Sequence, residues 1–90
     1  MKISSFVWDE ENEEHIARHG VEPEEAEEVF AENPVIYKAK YGRYYALGPT
    51  EDGSLLTIVF EYLGQGEARV IMARSMSSKE QKLYHRKKAR

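Results

Sequence analysis

The chain predicts a single α+β domain over residues 1–90: two N-terminal helices, a four-stranded antiparallel meander sheet and a C-terminal helix. Three observations carry this reading. Capping residues and helical spacing fill the first third of the sequence. From Val35 the apolar pattern switches to period two, the mark of half-buried strands. The connections after that point are short, which makes consecutive strands antiparallel neighbours.

Taken in order, Phe6-Val7-Trp8 is too short for a helix and reads as an extended segment. Asp9 is placed to cap a helix whose first turn holds Glu10 and Glu11, where carboxylates oppose the positive end of the dipole. Gly20 supplies a left-handed stop after His19. Pro23 suits the first turn of a second helix, where its missing N–H would be unpaired anyway. Ala26, Val29 and Phe30 then form one apolar face, and Asn33-Pro34 ends the helix. Val35, Tyr37, Ala39 and Tyr41 alternate with Ile36, Lys38 and Lys40. Gly42-Arg43 turns the chain into Tyr44–Gly48. Asp52-Gly53 is the strongest hairpin signal, with the composition of a type I′ turn. Leu55–Tyr62 and Glu67–Arg74 are the richest β segments, joined through Leu63-Gly64-Gln65-Gly66. Ser77 and Glu80 form a capping box that opens the last helix. That helix is dense in Lys82, Arg86, Lys87 and Lys88 and has only Leu83 and Tyr84 to bury.

Composition narrows the classes of function. Ninety residues suffice for one domain, and a chain of this size buries only about 60–65% of its unfolded surface. There is no cysteine, which removes disulfides and thiolate metal sites. No apolar run is long enough for a signal peptide or a membrane span, and the expected location is the cytoplasm. The net charge of −3 conceals a division. Residues 1–34 hold eleven acids against Lys2 and Arg18, a balance of −9. Residues 35–90 hold eleven bases against five acids, a balance of +6. A basic portion of this kind suits a polyanion or an acidic partner, and it equally suits an ordinary solvated face.

Several constellations can be weighed on chemistry. His15 and His19 share a helix face, but Glu14 lies outside the pair rather than within a His-Glu-x-x-His motif. No third ligand is indicated, so packed, hydrogen-bonded histidines and no metal are expected. No phosphate loop and no serine-nucleophile pattern occurs. The basic and aromatic residues are more telling. Lys38, Lys40, Arg43, Arg69 and Arg74 are interleaved with Tyr37, Tyr41, Tyr44, Tyr45 and Tyr62. Guanidinium forks suit phosphates and aromatic faces stack on unpaired bases; the same residues also fit sheet packing with a soluble rim. For RNA cleavage by a 2′-hydroxyl, Glu61 could serve as base, Tyr84 or Lys82 could donate or orient a proton, and Arg69 and Arg74 could stabilise the phosphorane. Lys38, Lys40, Arg43, Tyr44 and Lys82 would then hold the RNA. One difficulty is geometric. Arg69 and Arg74 are five apart, so a regular strand points them to opposite faces. Either a bulge intervenes, or Arg74 lies past the strand, or only one of them serves the site.

The segment Arg18-His19-Gly20-Val21-Glu22-Pro23-Glu24-Glu25-Ala26-Glu27-Glu28-Val29-Phe30 resembles the BrnT family of bacterial toxins. So do the Trp8-Asp9 opening, the strand Arg69-Val70-Ile71-Met72-Ala73-Arg74, and the basic tail Lys79–Arg90 with Tyr84. The similarity covers nearly the whole chain. It implies a RelE-like fold and a metal-independent endoribonuclease that needs no cofactor and inhibits translation. It also implies neutralisation by a ribbon-helix-helix antitoxin, through which alone operator DNA would be contacted. By position, Arg69, Arg74 and Tyr84 match family residues of the RNA site. The chain departs from the family at Phe60-Glu61-Tyr62-Leu63, where many members carry a histidine and a glutamate-arginine pair. That departure motivates a second reading, a catalytically inactive partner that only binds and regulates an antitoxin.

Overall fold

The computed structural model describes residues 1–89. Eight elements follow one another: β1 (Ser5–Val7), α1 (Glu10–Ala17), α2 (Pro23–Ala31), β2 (Val35–Lys38), β3 (Arg43–Pro49), β4 (Leu55–Gly64), β5 (Glu67–Ser75) and α3 (Ser78–Lys88). The expected meander β2-β3-β4-β5 is present, and the α+β class holds. The sheet nonetheless has five strands rather than four, in the order β1-β5-β4-β3-β2. The additional strand is the Phe6-Val7 segment, which pairs parallel to β5 with Phe6 opposite Ala68 and Val7 opposite Arg69. Sequence proximity cannot reveal such a pairing, because the partner lies some sixty residues downstream (Ser5 with Glu67). Gly66 makes it possible. Its carbonyl accepts the N–H groups of Ser4 and Ser5 at 2.8 and 3.2 Å, and a Cβ there would stand 2.8 Å from the Ser4 hydroxyl.

The helices form where the capping chemistry directs. The Asp9 carboxylate accepts the Asn12 N–H at 2.8 Å, and Gly20 takes φ +74° to end the first helical segment. In α2 the Glu22 and Glu25 side chains form a reciprocal capping box ahead of the helix, with Pro23 in the first turn. The Trp8 indole N–H donates to Glu27 at 2.8 Å, tying the N-terminal strand to α2.

Helices α1 and α2 cover one face of the sheet. Ile16, Val21, Ala26 and Val29 meet Ala46, Leu56, Ile58, Phe60, Val70 and Ala73 in a single buried core. Phe60 is fully buried at its centre. The Phe30 ring meets it edge-on at 5.1 Å and the Tyr44 ring stacks on it at 5.7 Å. Helix α3 crosses the opposite face at one end and buries no residue completely.

Two sequence expectations are corrected here. His15 and His19 are exposed rather than packed, and Ile16 is the residue of α1 that is buried in the core. The turn at Asp52-Gly53 is not type I′: Gly53 has φ +88°, but Asp52 is not in the left-handed region. Thr50 and Asp52 organise a longer loop instead. The Thr50 hydroxyl donates to the Asp52 carboxylate, and the Ser54 N–H donates to both side chains at 3.1 Å. Paired left-handed residues appear at the other two hairpins, Tyr41-Gly42 (φ 61° and 72°) and Gln65-Gly66 (φ 53° and 77°).

Replacing Phe60 by alanine is expected to cost about 3–5 kcal/mol, since it removes a ring on which two others rest. A drop of that size in urea-unfolding free energy would confirm Phe60 as the keystone of the helix-facing core; a loss below ~1 kcal/mol would contradict it.

Candidate functional site

The open face of the sheet is assembled by register. In β4 and β5 the pairs Phe60–Val70, Ile58–Ala73 and Leu56–Ser75 alternate with Glu61–Arg69, Val59–Met72 and Thr57–Arg74. The pairing slips between Phe60 and Val59, so that Ile71 is an extra residue in β5. This is a β-bulge, and it resets the alternation of side chains by one. Arg69 and Arg74, five apart, therefore lie on the same face, away from α1 and α2. Of the geometric alternatives open in the sequence, the bulge is present and Arg74 lies within the strand rather than past it.

Three predicted residues meet in one row at an end of this face. Arg43 pairs with Glu61 across β3 and β4, and Glu61 pairs with Arg69 across β4 and β5. The Arg43 Nε lies 3.8 Å from Glu61 Oε2, too long for a good hydrogen bond. The Nε atoms of both Arg43 and Arg69 are shielded from solvent and have no hydrogen-bond partner. Two guanidinium groups thus flank one carboxylate with donor capacity left unused.

Arg74 occupies a different place. Its row is four residues along β4 from that of Glu61, roughly 13 Å away. Its two terminal nitrogens form a bidentate pair with Glu80, at 2.7 and 2.8 Å. Glu80 Oε1 also accepts the Thr57 hydroxyl at 2.9 Å and the Ser77 N–H at 2.8 Å. The Arg74 hydrogen bonds hold the Glu80 carboxyl down to about 2, well below its ordinary 4.5. In turn, the Glu80 hydrogen bond raises the Arg74 pKa. Glu80 was legible in the sequence only as half of a capping box; its greater role is to dock α3 on the sheet.

The remaining predicted residues divide. Lys38, Lys40 and Arg43 line an open groove with Tyr41, Tyr45, Val59 and Met72. Lys82 lines an adjoining groove beneath α3 with Tyr37 and Tyr45, whose rings stack at 5.0 Å. Burial raises the Tyr37 pKa, and the Glu80 charge adds to it. Tyr84 sits on α3 beside His85, ring centres 5.4 Å apart, and lines neither groove. Tyr44 is on the helix-facing side, stacked on Phe60, because its position in β3 alternates with those of Arg43 and Tyr45. Sequence reasoning missed Val59 and Met72 as the groove's apolar floor; once the bulge is known, alternation places them there. Among the described residues, no cluster of three or more His, Cys, Asp or Glu side chains could hold a metal ion. No helix there is long and apolar enough to cross a membrane.

The chain is thus a small α+β domain with two helices behind a five-stranded sheet and a basic open face in front. The chain superposes on the 1.1 Å-resolution crystal structure of the Brucella abortus ribonuclease toxin, BrnT, with a TM-score of 0.69 and 26% sequence identity. The match covers 82% of this chain and 97% of that one. Residues 8–80 match the family model described as the ribonuclease toxin, BrnT, of type II toxin–antitoxin systems. The chain belongs to the BrnT family. No curated protein sequence matches it at a significant level.

The Glu80 pair sets the acid behaviour of the fold. Its folded pKa is depressed, so the stability it supplies is complete above about pH 4.5 and is lost as pH falls through about 2. Glu80→Gln should cost about 2 kcal/mol at neutral pH, the worth of hydrogen bonds to a charged group. It should also flatten the decline of stability between those two pH values. Denaturant titrations of both proteins across that window test this, and parallel pH profiles would refute it.

Proposed function

We propose that this chain is a metal-independent endoribonuclease, the toxin of a type II pair, and that its active centre is the Arg43–Glu61–Arg69 row. One observation carries the reading: a carboxylate flanked in register by two guanidinium groups whose Nε donors lack partners. Cleavage by internal attack needs this set. The Glu61 carboxylate accepts the proton of a ribose 2′-hydroxyl as its oxygen bonds to the adjacent phosphorus. The bond from phosphorus to the 5′-oxygen breaks, leaving a 2′,3′-cyclic phosphate and a 5′-hydroxyl. Arg43 and Arg69 offer their N–H groups to the phosphorane oxygens, where negative charge accumulates. Lys82 lines the groove beside Glu80 rather than the Glu61 row, so it holds a neighbouring nucleotide, and the departing 5′-oxygen takes its proton from water. Lys38 and Lys40 hold neighbouring phosphates. Tyr44 is not carried into this site, because its ring is committed to Phe60. Arg74 acts through α3 rather than on RNA, its two terminal nitrogens being paired with the Glu80 carboxylate and one of them also donating to the Ser75 carbonyl.

In this reading the cytoplasmic chain inhibits translation by cutting RNA. A ribbon-helix-helix antitoxin covers the basic face and supplies the contacts to operator DNA. The departure at Phe60 is compatible with catalysis. Phe60 points into the helix-facing core, whereas Glu61, the next residue, points to the open face.

Purified chain incubated with single-stranded RNA in the presence of a chelator should give 2′,3′-cyclic phosphate ends. Glu61→Gln and Arg69→Ala should each slow cleavage by about 10²–10⁴-fold without loss of folding. Arg74→Ala should instead lower stability more than it lowers the rate of the folded fraction. If the folded wild type cuts no RNA but still binds its antitoxin, the inactive-partner reading replaces this one.

A further inference from the structure

The tip of the β2–β3 hairpin carries a side chain that neither the core nor the turn requires. Tyr41 is 88% exposed, the highest exposure among the large apolar and aromatic residues described. It occupies the left-handed region at φ 61°, in the first central position of a two-residue turn closed by Lys40 and Arg43. That position favours Asn, Asp or Gly, and an aromatic residue there is disfavoured by its own Cβ. Its ring has no aromatic partner among the described residues, while Tyr37 stacks on Tyr45 and Tyr44 on Phe60. Tyr62, the other exposed tyrosine, has a local task, since its hydroxyl accepts the Gly66 N–H at 2.9 Å. Tyr41 has no such task.

Its surroundings indicate what the ring meets. Lys38, Lys40 and Arg43 lie in the same groove, and the nearest acid of the open-face row, Glu61, is already beside Arg43. A lone aromatic face on a hairpin tip among three cations suits a flat, π-faced group on an anionic backbone. An antitoxin covering this face would meet the ring too, but three cations around a single ring favour an anionic backbone carrying a base. We infer that Tyr41 is a stacking platform for one unpaired RNA base close to the cleaved phosphate, so that the substrate is single-stranded at that nucleotide. Arg43 links the two sites, belonging both to the Tyr41 turn and to the row with Glu61. This inference rests on the ribonuclease reading above.

The test uses single-stranded RNA with 2′-fluoro riboses, which cannot supply the nucleophile and so separates binding from cleavage. Tyr41→Phe should bind within about twofold of wild type, and Tyr41→Asn should bind about 5- to 50-fold more weakly. Asparagine tolerates the left-handed turn, so the thermal midpoint of that variant should be unchanged or higher. Oligonucleotides with one abasic position at a time then locate the base. At a single position its removal should weaken wild type but leave Tyr41→Asn unaffected. Equal affinity of wild type and Tyr41→Asn overturns the inference and leaves the ring to a protein partner, whether or not wild type cuts unmodified RNA. A uniform penalty at every abasic position overturns it too. Failure of wild type to cut unmodified RNA while the position-specific loss persists would sink the ribonuclease reading and keep the stacking site.

Discussion

One extra residue in β5 decides what the open face contains. Without Ile71 as a bulge, strict alternation would send Arg74 toward α1 and α2, and a guanidinium would enter a core built on Phe60. With it, Val70 and Ala73 both reach that core although they are three apart, and Arg69, Met72 and Arg74 share the other side. The strand thus serves two surfaces with different phases on either side of the bulge. Everything specific to the open face follows from this reset. The Arg69 row, the Met72 floor and the Arg74 anchor come from one strand in one direction.

The two faces are held by different kinds of force. Helices α1 and α2 are seated mainly by apolar burial, which carries no charge to titrate. Helix α3 buries no residue completely and is fixed through Glu80, which takes two bonds from Arg74, one from Thr57 and one from its own cap. At its far end the Lys88 ammonium donates to the Asn33 carbonyl at 2.5 Å. A partly buried carboxylate that satisfies so many donors is hard to protonate and hard to move, and this gives a polar helix a defined seat. The groove beneath α3 owes its shape to that seat.

Much of the fold was readable locally. Asp9, Pro23, Gly20 and the Ser77–Glu80 box each act within one turn of helix, so sequence spacing suffices to place them. The strands from Val35 onward were readable from their alternation. What was not readable depends on distant partners or on competition between local options. The β1–β5 pairing joins segments some sixty residues apart (Ser5 with Glu67). Asp52-Gly53 has the composition of a tight turn, yet the Thr50 and Asp52 side chains offer the backbone a competing set of hydrogen bonds. In the candidate row, residue type alone singles out Glu61, Arg69 and Arg43, and the bulge is one of three alternatives it leaves open for Arg74. Tyr44 was placed with the RNA-binding tyrosines because residue type alone does not distinguish it from Tyr45. Only the register, which sets Tyr44 beside Phe60 and Tyr45 beside Val59, separates them.

The division of charge along the chain becomes a division in space. The acidic residues of the first third lie mostly on α1 and α2, behind the sheet, and the described cations of the remainder lie on the open face, the hairpin tip and α3. A polyanion approaching the molecule therefore meets a dipole rather than a net charge of −3. The helical side repels it and the sheet side attracts it, so approach is oriented before contact. The same arrangement restricts where an acidic partner can settle. Any surface that neutralises the cations of Lys38, Lys40 and Arg43 also covers the groove they line, so occupancy by one anionic ligand excludes another without a change of fold.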